Sequence, residues 1–158
     1  MGTVLVRDGD TVLDTARAEF GIRTIDVDAA HGMRINGLPV KLRGACIHHD
    51  NCVIGAHTLD AAEDRRIRLL KESGFNAIRS AHNPAARDTL RACDRHGMLV
   101  VDELTDAWWR PKIPFDGSHE FEEWWERDLE AMIAKDFNHP SVVMYSIGNE
   151  IAETATER

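Results

Sequence analysis

Four short apolar runs in this sequence each give way to side chains that bind hydroxyls or move protons. They end in His48, His49 and Asp50, then Arg79 and His82, then Asp102 and Glu103, then Asn149 and Glu150. The last run is the clearest. Pro140 cannot continue a helix before it, Val142 to Ile147 is rich in apolar and β-branched residues, and the run stops at an amide and a carboxylate. A strand apolar on both faces is a parallel strand covered by helices, and in such folds ligands bind beyond the C-terminal strand ends. Glu150 is therefore the first candidate for proton transfer. A rim of His, Arg, Asn and carboxylates with tryptophans such as Trp108 nearby suits a sugar. Aromatic rings cover its apolar face while charged and amide groups fix its hydroxyls. Cleaving a glycosidic bond needs a carboxylic acid to protonate the leaving oxygen, and a second carboxylate about 5–5.5 Å away when configuration is retained. Glu150 fits the first role, and Glu103 is the other rim glutamate at a strand end.

Each of these residues also has a plainer reading. A glutamate after an apolar strand serves equally as a helix cap or a surface group. Arg79 beside carboxylates is also what a structural ion pair looks like, and His82 can simply bridge a strand to the next helix. His48, Asp50 and Glu103 have the right types for a metal. Adjacent histidines in an extended segment point to opposite faces, however, so at most one of His48 and His49 reaches a shared centre. Two rivals to an acid-catalysed hydrolase follow: a carbohydrate-binding module that breaks no bond, and a metal-dependent hydrolase.

The elements that must position these groups can be read in order. Val4, Val6, Val12 and Leu13 flank the turn residues Asp8-Gly9-Asp10 and predict a strand pair. Asn36-Gly37 within Gly32 to Gly44 predicts a type I′ hairpin, whose second arm, or a strand directly after it, runs to His48. A helical period begins after Thr58, a candidate cap, and stops at Gly74. Phe75 to His82 predicts a strand. Asn83-Pro84 is then expected to cap and open a second helix, with Leu90 and Cys93 inward, that ends at Gly97. Met98 to Val101 is a third strand, Trp108 to Gly117 a loop, and a long amphipathic helix starts near Ser118. Its glutamates, Glu122, Glu123, Glu126 and Glu130, read as a solvated face. The order strand, helix, strand, helix, strand, helix, strand brings four polar ends to one rim.

The 158 residues are enough for one domain with a core and short of the roughly 250 that an eight-stranded barrel takes. A formal charge of −8 argues against nucleic acid and anionic membrane surfaces as partners. No apolar run has the length of a membrane span. The three cysteines, Cys46, Cys52 and Cys93, are odd in number and lack zinc spacing, which points to reduced thiols and a reducing, cytoplasmic compartment.

Several blocks, taken together, carry a family resemblance. Phe20-Gly21-Ile22-Arg23, the hairpin Ile35 to Gly44, the run Asn76-Ala77-Ile78-Arg79-Ser80-Ala81-His82-Asn83-Pro84, Cys93-Asp94-Arg95-His96-Gly97, and Asn138-His139-Pro140-Ser141 through Asn149-Glu150 resemble glycoside hydrolase family 2. This is the family of β-galactosidases, β-glucuronidases and β-mannosidases. The resemblance implies a retaining β-glycosidase with a (β/α)8 TIM-barrel catalytic domain preceded by immunoglobulin-like and jelly-roll β domains. It implies Glu150 as general acid/base, Asn149 as the holder of the sugar 2-hydroxyl, His48 and His82 as sugar contacts, and Arg79 as the arginine beside the nucleophile. That nucleophile is a second glutamate on a later barrel strand, without a counterpart here. No cofactor is implied. Some members bind a divalent metal through a carboxylate and a histidine shortly after the third strand, where this chain has Leu104-Thr105-Asp106-Ala107-Trp108-Trp109. His48-His49-Asp50 departs from the His-Glu of the best-known galactosidases and leaves the sugar open.

The expectation is an α/β fold: a partial (β/α)8 TIM barrel, its first four strands and three helices, in residues 25–158. It is preceded in residues 1–24 by the C-terminal strands of an immunoglobulin-like β domain. The parent would be a β-glycosidase, best read as a β-galactosidase acting on a β-linked sugar, with Glu150 catalytic. Asn149, His48, His82, Arg79, Asp50, Glu103 and Trp108 would bind substrate. The piece alone would be inactive, and its open strand edges point to a homo-oligomer.

Overall fold

The computed structural model describes residues 1–152, and the last six residues of the expected barrel portion lie outside them. Strands β1 (Gly2–Asp8) and β2 (Thr11–Ala18) form the expected antiparallel pair, turning at Gly9 with φ +55°. Val4, Leu5, Val6, Val12 and Leu13 on it are all exposed. A second sheet follows, β3 (Ile25–Asp28), β4 (Gly32–Ile35) and β5 (Leu38–Pro39). Asn36 and Gly37 hold positive φ, +51° and +77°, as the type I′ turn requires. The sequence reading had no β3. Its strand is four residues long, and what fixes it is the turn after it, where Asp28 Oδ1 accepts from the Ala30 and His31 amides at 2.9 and 2.7 Å.

The hairpin arm does not run on to His48. A separate strand, β6 (Gly44–His48), starts a four-stranded parallel sheet with β7 (Ala77–Ala81), β8 (Leu99–Glu103) and β9 (Val142–Ser146), in that order. Helices α1 (Asp60–Glu72), α2 (Arg87–His96) and α3 (Ser118–Asp136) connect successive strands. The strand side chains alternate between two faces. The back face carries Ile78, Val100 and Val142 into a core with Ile67 of α1, Leu90, Ala92 and Cys93 of α2, and Met98. Each large apolar side chain fully buried there contributes about 1.5–3 kcal/mol. No helix among the described residues is long and apolar enough to cross a membrane.

Two helix starts differ from expectation. Thr58 does not cap α1: the N-cap is Leu59, without a side-chain hydrogen bond, and Asp60 and Glu63 place negative charge in the first turn instead. Helix α2 begins at Arg87, not Pro84. Residues 83–86 form a loop because the Asn83 carbonyl accepts from Ser80 Oγ at 2.7 Å and the Ala85 amide donates to Asp102 Oδ1 at 2.8 Å, which draws Ala85 into the core.

The segment between the first two sheets docks at the opposite end of the barrel sheet from the polar rim. A Cβ added at Gly21 would lie 2.3 Å from Pro140 Cβ, and Arg23 Nη2 donates to the Val142 carbonyl at the start of β9.

Candidate active site

The front face of the sheet gathers most of the residues picked out from the sequence. Glu103, at the end of β8, is wholly buried, with 0% of its side chain exposed. Its carboxylate accepts from Arg79 Nε at 2.8 Å and from Arg79 Nη2, from His82 Nδ1 at 2.6 Å, and from Ser146 Oγ at 2.6 Å. Burial alone would raise its pKa, but the bonds from Ser146, His82 and Arg79 outweigh that and hold it below the ordinary glutamate value. Arg79 is tuned in the opposite sense: burial opposes its charge, and the bonds to Glu103 and Cys46 overcome it and raise its pKa. The same guanidinium reaches the segment that follows β9, where Nη2 donates to Asn149 Oδ1 at 2.9 Å. His82, with Nδ1 spent on Glu103, meets His48 edge-on, ring centroids 5.2 Å apart at 87°. One buried carboxylate thus orients an arginine, a histidine and, through the arginine, the amide beside Glu150.

Glu150 stands at the end of this chain of contacts with 81% of its side chain exposed and φ +48°. Asn149 Nδ2 donates to Asp106 Oδ1 at 2.9 Å, and Lys112 Nζ joins Asp106, the Asn149 carbonyl and, at 3.8 Å, Glu150 Oε2. Burial raises the Asp106 pKa, and the Lys112 and Asn149 hydrogen bonds reverse this to a net lowering.

Four assignments change. Asp102 is not on the rim: it alternates with Glu103 and faces the helices, wholly buried near Asp136, where burial and that neighbour push its carboxyl up to about 7. Glu103 has no exposed surface with which to touch a sugar, so it positions other groups. Asp50 uses Oδ1 to accept from the Cys52 amide at 2.9 Å, which turns the loop after β6 and directs its carboxylate along the chain. Trp108 packs on Phe121, centroids 5.9 Å apart, and its Nε1 donates to the Ile147 carbonyl at 2.9 Å, so it supports the exit of β9 and joins an apolar hollow of about 350 Å³ with Trp109, Trp125 and Leu129. His49 lies behind His48, its Nδ1 3.3 Å from Asn83 Nδ2, with its pKa lowered chiefly by burial.

His48, Asp50 and Glu103 do not converge, and among the described residues no group of three His, Cys, Asp or Glu is arranged to hold a metal. Beside Glu150 the Asp106 carboxylate faces the Lys112 ammonium. A divalent cation there would meet that positive charge, so these residues do not fit one.

Ser146, Asp106 and Lys112 were not found from the sequence. Ser146 is hidden in an apolar run, although the two-residue strand period, counted from Met144, places it opposite Glu103. Asp106 and Lys112 lie in a loop, where no period applies.

Comparison with known proteins bears on the family and the fold. The model of the TIM barrel domain of glycosyl hydrolases family 2 matches residues 26–157. The chain is 44% identical over 148 residues to the beta-galactosidase BoGH2A of Bacteroides ovatus, which is 94% of this chain and 17% of that protein. A family 2 glycosyl hydrolase from Bacteroides cellulosilyticus superposes with a TM-score of 0.88 at 47% identity, covering 96% of this chain and 20% of the other. A β-glucuronidase from Ruminococcus gnavus gives 0.77 at 30% identity, over 94% of this chain and 25% of its own. The chain spans a quarter or less of each of these relatives. With the parallel half-barrel and the family match over most of its length, the chain belongs to glycosyl hydrolase family 2, within the TIM barrel domain.

Proposed function

We propose that this chain is the first half of the catalytic barrel of a retaining β-glycosidase, with Glu150 as its general acid/base and a β-galactoside as its substrate. The observation that carries the reading is the bonded path from Glu103 through Arg79 to Asn149. It fixes an amide, an arginine and two histidines on one rim beside a solvent-accessible glutamate. In the first step a carboxylate contributed by a later part of the barrel attacks the anomeric carbon. The bond to the leaving oxygen breaks, and Glu150 gives that oxygen its proton. In the second step Glu150 takes a proton from water, the water oxygen bonds to the anomeric carbon, and the attacking carboxylate is released. Asn149 is suited to hold the sugar 2-hydroxyl, and His48 and His82 its other hydroxyls. Arg79, held by Glu103, is assigned to pair with the incoming carboxylate. The preference for galactose follows the name of the B. ovatus relative, and β-glucuronides are the competing substrate class given the R. gnavus enzyme. The strand pair β1–β2 is read as the end of an immunoglobulin-like domain.

The test is hydrolysis of chromogenic β-galactoside, β-glucuronide and β-mannoside by the complete protein. One sugar is expected to be cleaved, with kcat/KM on its phenyl glycoside, whose leaving group needs protonation, reduced about 10²- to 10⁴-fold by Glu150→Gln. Sugar binding without cleavage of any of the three would make the rim a carbohydrate-binding surface and overturn the reading.

A further inference from the structure

The loop between β8 and α3 brings a cation to the tip of β9. Lys112 Nζ donates to the Asp106 carbonyl at 2.8 Å, to Asp106 Oδ1 at 2.8 Å and to the Asn149 carbonyl at 2.7 Å, and lies 3.8 Å from Glu150 Oε2. The Asn149 carbonyl belongs to the peptide that joins Asn149 to Glu150. Holding that oxygen fixes the peptide plane from which the φ of Glu150 is measured, and that φ is +48°, a left-handed conformation that a residue with a Cβ disfavours. The lysine is itself held in place. Its amide and that of Ile113 donate to Asp116 Oδ2 at 2.6 and 3.2 Å, while Asp116 Oδ1 accepts from the Ser118 amide at 3.1 Å. The turn that carries the cation is therefore tied to the start of α3.

We propose that Lys112 is a positioning residue for Glu150, clamping the Asn149–Glu150 peptide so that the exposed carboxyl is aimed for proton donation. Asp106 completes the clamp: one carboxylate oxygen takes both the lysine and the Asn149 amide, so side chain and backbone of Asn149 are fixed from the same loop. The proposal rests on Glu150 being the proton donor, and it gives the loop after β8 a task that the sequence pattern did not show.

The experiment compares kcat/KM, which reports the first chemical step, on phenyl and 2,4-dinitrophenyl β-glycosides of the sugar that the complete protein cleaves. A phenolate leaves slowly unless protonated, whereas a dinitrophenolate leaves unaided. Lys112→Met is expected to cost about 10²-fold on the phenyl glycoside and less than about tenfold on the dinitrophenyl glycoside, the same selectivity as Glu150→Gln. Lys112→Arg is expected to restore most of the phenyl activity. Equal losses on the two substrates, or none, would overturn the clamp while leaving Glu150 intact. A Glu150→Gln enzyme without leaving-group selectivity would instead overturn the acid/base reading, and the clamp with it. If Lys112→Met fails to fold, Lys112→Leu, which likewise removes the donor to the Asn149 carbonyl, is judged by the same ratio.

Discussion

Glu103 carries a charge that the solvent never sees, and its value lies in what it holds. Four donor contacts from Arg79, His82 and Ser146 saturate the carboxylate, and the arginine passes the order on to Asn149. Glu103→Gln should leave Arg79 half-buried without its counter-charge. We expect about 3 kcal/mol of lost stability, seen as a lower unfolding midpoint, together with a fall in kcat/KM. Because the pKa of Glu103 is lowered on folding, its stabilisation is present above the ordinary glutamate range and disappears as pH falls through the lowered value. The variant should therefore show a shallower acid limb than wild type, and an unchanged limb would refute the assignment. The sequence exposed Glu103 as a polar group at a strand end but not its depth, since burial depends on Ser146 and Arg79 of neighbouring strands. Asp102 was separable from it by alternation alone, because consecutive strand residues cannot share a face. Asp106 and Lys112 were illegible: their roles depend on a loop path that closes on residues far along the chain.

The parallel strands and their connecting helices were readable because the period changes from two to 3.6 at each junction, and glycines with φ of +92° at Gly74 and +64° at Gly97 stop α1 and α2 where the sequence places them. The start of α2 was not readable. Asn83-Pro84 has the local chemistry of a helix opening, and tertiary bonds to Ser80 and Asp102 override it. The block Phe20 to Arg23 gains a physical meaning from the fold, as the strap that seats the N-terminal segment against the start of β9. Gly21 has no room for a side chain because the facing atoms belong to the rigid Pro140 ring. Gly21→Ala should destabilise this docking by about 1–3 kcal/mol, measured as a drop in the unfolding midpoint, with Glu150 chemistry altered only through β9. A variant as stable as wild type would mean that the strap does not bear on the barrel.

Strands β6 and β9 close neither edge of the sheet among the described residues, and Met144, Tyr145 and Ile147 of the last strand region are exposed, as are Trp124, Trp125, Ile133 and Phe137 of α3. Unpaired strand edges beside apolar surface template association with another chain. We propose that the 158-residue chain, prepared alone, self-associates, and sedimentation velocity should show its mean mass rising with concentration. A monomer at every concentration would dismiss this. The alternation of the two sheet faces reaches further than the present chemistry. On β7 and β8 the side chains that hold the rim, Arg79 and Glu103, share their strands with the side chains that hold the fold, Ile78 and Val100, and the two sets occupy opposite registers. Selection can therefore rewrite the recognition register, bonded partners such as Glu103 and Arg79 together, while the adjacent register keeps the apolar core packed. Divergence among enzymes built on this half-barrel is then a matter of every second residue.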